Sequence, residues 1–374
     1  MFITSFSTDG FKNLKDVNIK PDKNTNIIFG ENAQGKTNLI EAIWLCTGAK
    51  SFRNTKDRSL IDLNGEAMNI DLSFRDYRRE QEISVKAVKP NVRDKNITLN
   101  GVKVKTLSKL FGNLNCIVFT PEDLEISKGS PEIRRQFLDL SVSQIKNSYR
   151  QVANKYENLI EQRNSLLKNI NYGKSSENEL DVWDIQLARM GSYISLLRYN
   201  YTKKLNIFCH KLYDEISSGK DSLNVSYNST VFENLEGRLD YEGDLSEEYL
   251  YKLKENRQED LKSGYTQKGV HRDDLNMFIG GKPVKEYASQ GQHRSAALAL
   301  KLSQAYILAE EIKDYPCILL DDVLSELDKT RQQFVINKIK NMQVFITCCD
   351  SNIPFEKGKG KFFQVEKGKV REID

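Results

Sequence analysis

The stretch Gly30-Glu31-Asn32-Ala33-Gln34-Gly35-Lys36-Thr37 constrains this chain more than any other. It fits G-x-x-x-x-G-K-[ST], a loop whose backbone N–H groups and lysine enclose phosphate oxygens. Its flanks fit as well. Asn26-Ile27-Ile28-Phe29 reads as a short buried strand, and Thr37 to Leu45 reads as a helix with Leu39, Ile40, Ile43 and Trp44 apolar. A strand feeding a glycine turn and then a helix aims N–H groups and the positive helix end at one spot, where a triphosphate can sit. Lys36 is placed to reach the β- and γ-phosphates, and the Thr37 hydroxyl to complete a Mg²⁺ shell. A chance glycine turn before a helix leaves the flanking strand unexplained.

A second constellation lies in the last hundred residues. Ser289-Gln290-Gly291-Gln292-His293-Arg294 opens a helix running through Ala296 to Ile312. A Ser and a Gly at a helix N-terminus form an anion site without a charged side chain. Cys317-Ile318-Leu319-Leu320-Asp321-Asp322 is an apolar strand ending in two carboxylates. Asp321 fits a Mg²⁺ partner for Thr37, and Asp322 fits a base that polarises water. Ser325-Glu326-Leu327-Asp328 follows, and Gln343 to Thr347 is one further buried strand.

The rest of the chain frames these two regions. Its 374 residues suffice for about two domains. A net charge of only +4 means that any surface for nucleic acid must be a local patch. Met1-Phe2-Ile3 runs straight into a charged, strand-like segment, so no signal peptide is expected, and no apolar run is long enough for a membrane span. The six cysteines include no C-x-x-C pair, which predicts reduced core cysteines in a cytoplasmic protein.

Residues 1–29 alternate like two antiparallel strands leading into the P-loop strand. Thr47 to Arg53, followed by Lys56 and Arg58, is either a solvated loop or one that contacts nucleotide or nucleic acid. Residues 68–105 alternate again, with a hairpin signal at Asn100-Gly101. Between Lys86 and Lys105 the cations Lys86, Lys89, Arg93, Lys95, Lys103 and Lys105 face Asp94 alone. Such a meander can lie along phosphates, or its lysines can simply deter edge pairing. Cys116 to Phe119 reads as a buried strand, and Pro131 opens a helix with Ser130 as its N-cap.

From there the pattern is helical. Ile145, Tyr149, Val152, Tyr156 and Ile160, then Leu180, Trp183, Leu187, Met190, Ile194, Leu197, Tyr201 and Leu205, predict two long amphipathic helices packed as an antiparallel hairpin. His210 beside this stripe reads as structural. A strand at Leu223 to Tyr227, a charged helix near Glu247 to Lys262 and a hairpin turning at Gly280-Gly281 follow. His271-Arg272-Asp273-Asp274 reads as a hydrogen-bonded turn rather than an acid–base site.

The order of P-loop, helical insertion, S-x-G-Q, strand-Asp-Asp and x-Glu-Leu-Asp resembles the ABC-type ATPase heads of the SMC group. Within that group it is most similar to the RecF family of bacterial recombination mediators. The likeness rests on Gly30 to Asn38, Thr47 to Arg53, Phe119 to Leu124, Gly129-Ser130-Pro131, Arg134-Arg135, His271 to Asp274, Ser289 to Arg294 and Asp321 to Asp328. It implies an α/β fold, a P-loop head with mixed sheets, over residues 1–125 and 265–374. A mainly helical lobe, with the long helix pair, covers residues 126–264, and the signature helix belongs to one or the other. ATP and Mg²⁺ are the implied ligands, held by Gly30 to Asn38 with Thr37 and Asp321 on the metal. Ser289, Gly291, Gln292 and Asp328 would complete the site of a second subunit. The resemblance further implies a weak DNA-stimulated ATPase acting as a switch, and an ATP-dependent homodimer on double-stranded DNA near single-strand junctions. Its implied partners are RecR and RecO, with which it would load RecA, and no membrane is implied.

The chain departs from the broader ABC pattern at two places, Asp322 and the segment after Ile346, and from the RecF family's usual residues at two more, His293 and Val270. Asp322 stands where transporters and SMC proteins usually have Glu, so hydrolysis should be slow. Thr347-Cys348-Cys349-Asp350 replaces the usual switch histidine. His293 stands where a second Gln is common, and Val270 where Pro is frequent. Two rival classes remain: a transporter nucleotide-binding subunit, and a stand-alone P-loop kinase or hydrolase. The helical insertion argues against the first, and the signature and Ser325 to Asp328 are unneeded by the second.

Overall fold

The structure is a computed structural model that describes residues 1–53, 55–92, 94–349 and 360–373. Arg93 and Asp350, both named above, lie outside the described residues. Contacts divide the chain into two units, Met1–Asp123 with Gln304–Asp374, and Leu124–Ser303.

The first unit is built on two six-stranded sheets. One carries the P-loop strand Thr25–Phe29 and has five parallel strands with one antiparallel edge strand. In order they are Lys369–Ile373, Lys361–Glu366, Thr25–Phe29, Val344–Cys348, Cys317–Asp321 and Cys116–Phe119. Parallel strands covered on both faces read as continuous apolar runs, and every residue of Cys317–Asp321 and Cys116–Phe119 is buried. Asn26, one of the buried polar residues of this sheet, accepts from the Asp22 amide at 2.7 Å and donates to the Asp22 carbonyl at 2.8 Å. A buried amide with both ends satisfied costs little.

The second sheet is antiparallel, in the order Val17–Ile19, Phe2–Asp9, Ala67–Arg75, Glu80–Val88, Asn96–Leu99 and Val102–Val104. Its strands alternate as expected, with Ile70, Leu72, Phe74, Ile83, Val85 and Ala87 buried. The expected hairpin turn is present: Asn100 and Gly101 have φ of 52° and 76°, the pair of left-handed residues that a tight two-residue turn requires.

The second unit is mainly helical. Asn147–Asn171 and Leu180–Ser217 form the long pair. Ser148 bonds Tyr193, Arg163 bonds Asp184, and Leu167 clusters with Leu180, so the contacts run in opposite directions along the two helices. This is the antiparallel hairpin expected from the sequence. Inside it the Arg163 guanidinium lies at 2.7 Å from both Asp184 and Asp260, fully buried. Removing one partner of such a buried pair typically costs about 3–5 kcal/mol, because the other charge is left unpaired.

Asp260 explains a difference from the sequence reading. The charged segment expected as one helix is two, Asp244–Glu255 and Arg257–Ser263, broken at Asn256. The Asn256 side chain holds Asp260 at 3.0 Å, and the break turns Asp260 inward to Arg163. Nor is the segment wholly solvated, since Tyr249 is fully buried, packed so closely that a Cβ on Gly191 would lie 2.3 Å from its ring. A small sheet of Leu223–Asn228, Asp274–Ile279 and Lys282–Pro283 completes the unit. His210 is exposed, outside the stripe. Ser130 occupies the N-cap position of Pro131–Ile145 but makes no side-chain cap bond.

Candidate nucleotide site

The P-loop lies at the carboxyl ends of the parallel strands, where open α/β sheets hold their ligands. The helix Lys36–Leu45 begins within the motif, at its lysine. Gly30 has φ of 151°, and a Cβ there would sit 2.3 Å from the Val365 carbonyl, so only glycine lets the loop pass that strand. Lys36 is buried and folds back over the loop, its Nζ donating to the carbonyls of Gly30 at 2.6 Å and Glu31 at 2.8 Å. An ammonium with three donors and a flexible stem can exchange such carbonyls for phosphate oxygens.

Thr37 and Asp321 meet as the motif spacing requires. The Thr37 hydroxyl donates to Asp321 Oδ1 at 2.9 Å. Thr347, on the strand between the P-loop strand and the aspartate strand, donates to the same oxygen at 2.9 Å, and its hydroxyl accepts from the Asp322 amide at 2.9 Å. Burial pushes the Asp321 carboxyl above the usual aspartate range, while the bonds from Thr347 and Thr37 pull it back down. Asp322 adopts φ of 54°, a left-handed conformation that Asp tolerates, and Ser325 donates to its carbonyl at 2.7 Å and its Oδ1 at 3.0 Å. One hydroxyl and one carboxylate, both hard oxygen donors with few other protein ligands nearby, suit Mg²⁺, which keeps several of its waters. Among the described residues no cluster of three or more His, Cys, Asp or Glu side chains offers a rival metal site.

The outer side of the loop is held by groups the motif does not reveal. The Asn13 side chain donates to the Gln34 carbonyl at 3.1 Å and accepts from Asn38 at 2.7 Å. Arg53 in turn reaches Asn38 at 3.3 Å. The turn between the last two strands docks on Gln34, with the Lys367 amide on its Oε1 at 2.6 Å and the Gly368 amide on its carbonyl at 3.0 Å. A Cβ on Gly368 would lie 1.7 Å from the Asn13 carbonyl. Cys349 lies beside the loop, its Sγ 3.1 Å from Asn32 Oδ1. Only the Gly at 368, in a turn after a strand, carries any sequence signal for this support.

The remaining candidates have other partners. Asp328 caps the helix Lys329–Ile339, accepting from the Arg331 amide at 3.0 Å and pairing with the Arg331 guanidinium. Ser289, Gly291 and Gln292 belong to the second unit, at the start of the helix Gln290–Ile312. There Ser289 and Gln292 form a reciprocal cap: the Ser289 amide donates to Gln292 Oε1 at 2.8 Å, and the Gln292 amide to Ser289 Oγ at 3.3 Å. Gln292 also reaches Asp221 at 3.3 Å, and His293 Nδ1 lies 2.9 Å from the Ser127 hydroxyl. The S-x-x-Q spacing makes that cap legible from sequence.

His271 is held by the Tyr156 hydroxyl at 3.2 Å and the Thr266 carbonyl at 2.9 Å, as befits a structural turn. In the basic meander, Lys86, Lys103 and Lys105 are exposed. Lys89 instead ties down a loop through the carbonyls of Asp62 and Leu63, and Lys95 pairs with Asp57 at 2.9 Å.

A parallel sheet carrying a P-loop, with an Asp-Asp strand two positions away and an antiparallel sheet in the same unit, defines an ABC-type ATPase head. Heads of SMC proteins share this fold: the Pyrococcus furiosus Smc head with an extended coiled coil aligns with TM-score 0.55 at 15% identity, covering 100% of this chain and 96% of that one. The model of the RecF/RecN/SMC N-terminal domain matches residues 2–369, and the chain belongs to that family. The Clostridium tetani DNA replication and repair protein RecF is 38% identical over 374 residues, covering 100% of both chains. A solved structure of the recombination mediator protein RecF with ATP, in the RecFOR pathway, aligns with TM-score 0.89 at 34% identity over 100% of this chain and 98% of that one.

Proposed function

We propose that this chain is an ATP-dependent DNA-binding protein of replication and recombinational repair. ATP binding joins two copies head to head on double-stranded DNA near single-strand junctions, and slow hydrolysis releases them. The observation that carries the reading is the 2.9 Å contact of Thr37 with Asp321, in a chain whose relatives over their full length are DNA replication and repair proteins. With RecR and RecO it helps load RecA, as the family resemblance implies. No helix among the described residues is long and apolar enough to cross a membrane.

In this mechanism the P-loop amides and Lys36 bind the β- and γ-phosphates, Lys36 leaving the carbonyls of Gly30 and Glu31 to do so. Thr37 and Asp321 would hold Mg²⁺, which would supply positive charge against that developing on the phosphates. Asp322 accepts the proton of the attacking water, oriented by Ser325. An aspartate reaches less far than a glutamate, which makes the step slow. Ser289 and Gly291 of the second copy close the site over the γ-phosphate, with Gln292 and Asp328 beside them.

Asp322→Asn separates binding from turnover. Phosphate release by this variant should fall by at least about 100-fold, while ATP-dependent association is kept or strengthened, since the Mg²⁺ pair Thr37–Asp321 is untouched. Hydrolysis at the wild-type rate would place the base elsewhere.

A further inference from the structure

Thr347 is buried on the strand between the P-loop strand and the aspartate strand. Its register partners are Ile28 on one side and Asp321 on the other. One hydroxyl there makes two bonds of opposite sense. Its single proton goes to Asp321 Oδ1 at 2.9 Å, and its lone pair receives the Asp322 amide at 2.9 Å. A hydroxyl has just one proton, so donating to the carboxylate commits it to accept from the amide. We propose that Thr347 is a positioning residue that locks the two adjacent carboxylates to one another, fixing Asp321 for the cation and Asp322 for the water. The inference rests on the ATPase reading of this site and assigns it a residue that the motifs do not contain.

Three features make the lock specific. Asp322 is in a left-handed conformation, and the bond from its amide to Thr347 opposes relaxation to the ordinary strand geometry. Asp321 Oδ1 receives both Thr37 and Thr347, so the carboxylate plane is set at once from the helix after the P-loop and from the neighbouring strand. Ser325 holds Asp322 from the far side, which leaves Thr347 as the link between the two acids. Groups that orient a metal-binding carboxylate typically change metal affinity or turnover by about 10–100-fold when removed.

Thr347→Val keeps the shape and deletes the hydroxyl, Thr347→Ser keeps the hydroxyl, and Thr347→Cys keeps a weak donor. Each is titrated with Mg²⁺ at fixed ATP, following binding of a fluorescent ATP analogue, and single-turnover hydrolysis is measured alongside. Ser should match the wild type within about twofold, Cys should lie between, and Val should need about tenfold more Mg²⁺ and turn over about tenfold more slowly. ATP affinity without Mg²⁺ should be the same in all four proteins, because Lys36 and the loop are unchanged. Equal Mg²⁺ demand and rate in wild type, Ser, Cys and Val would overturn the lock. Should Val fail to fold, the comparison of Ser with Cys decides alone. A wild-type protein that binds no ATP would instead overturn the ATPase reading itself.

Discussion

At the scale of single residues, the fold uses hydroxyls to place carboxylates. Thr37 and Thr347 both donate to Asp321, which offsets the cost of burying that carboxylate between strands. A different balance holds at His271 in the helical unit. Burial lowers its pKa from 6.5 to about 4, against the opposing bond to the Thr266 carbonyl, and the cations Arg272, Arg135 and Arg163 add to the shift. The folded pKa lies below the unfolded one, so between these values the unfolded chain binds more protons. Stability is therefore complete above about pH 6.5 and falls as pH drops towards 4. Urea unfolding should show the midpoint falling between neutral pH and pH about 5, and His271→Gln should flatten that slope. An equal slope in the variant would mean that other groups carry the acid sensitivity.

At the scale of elements, the basic meander is the surface whose role follows most directly from strand geometry. Directly paired residues share a face, and Ser84 pairs with Thr98, which pairs with Lys103. Lys86 lies two residues beyond Ser84, so Lys86 and Lys103 point to the same side of the sheet. Replacing Lys86, Lys103 and Lys105 with Ala should weaken duplex DNA binding. The salt dependence should then flatten by about one unit for each phosphate that is no longer neutralised. An unchanged salt slope would return the meander to a solvated sheet. Lys89, equally basic in the sequence, is left out because its ammonium holds the Asp62 and Leu63 carbonyls.

That contrast between lysines shows what is legible in the sequence. The P-loop, the apolar aspartate strand and the helix pair can be read there because each is a local pattern: a motif, a continuous apolar run, a 3.6-residue period. The ATPase-head fold follows from their order. What stays hidden is long-range. No spacing announces that Asn13 and the Lys367-Gly368 turn support Gln34, or that Thr347 joins Asp321 to Asp322. The break at Asn256 is hidden for the same reason, since it serves a buried bond from Arg163 to Asp260.

At the scale of the whole molecule, the two elements proposed to bind phosphate fall in two units, the P-loop with Asp321 and Asp322 in one, the Ser289 helix start in the other. In the proposed mechanism each completes the other across two copies. The lysine and the Thr37–Asp321 pair belong to the first unit, and the Ser289–Gln292 cap belongs to the second. If the signature of one copy closes the site of another, Ser289→Arg should disable assembly and leave the P-loop intact. The measurement is light scattering of wild type and Ser289→Arg with and without ATP and Mg²⁺, beside a direct ATP-binding assay. Wild type should rise with ATP from the monomer mass of 43.0 kDa to twice that value, while the variant binds ATP and stays at the monomer mass. A variant that binds ATP and dimerises like the wild type would contradict the composite site.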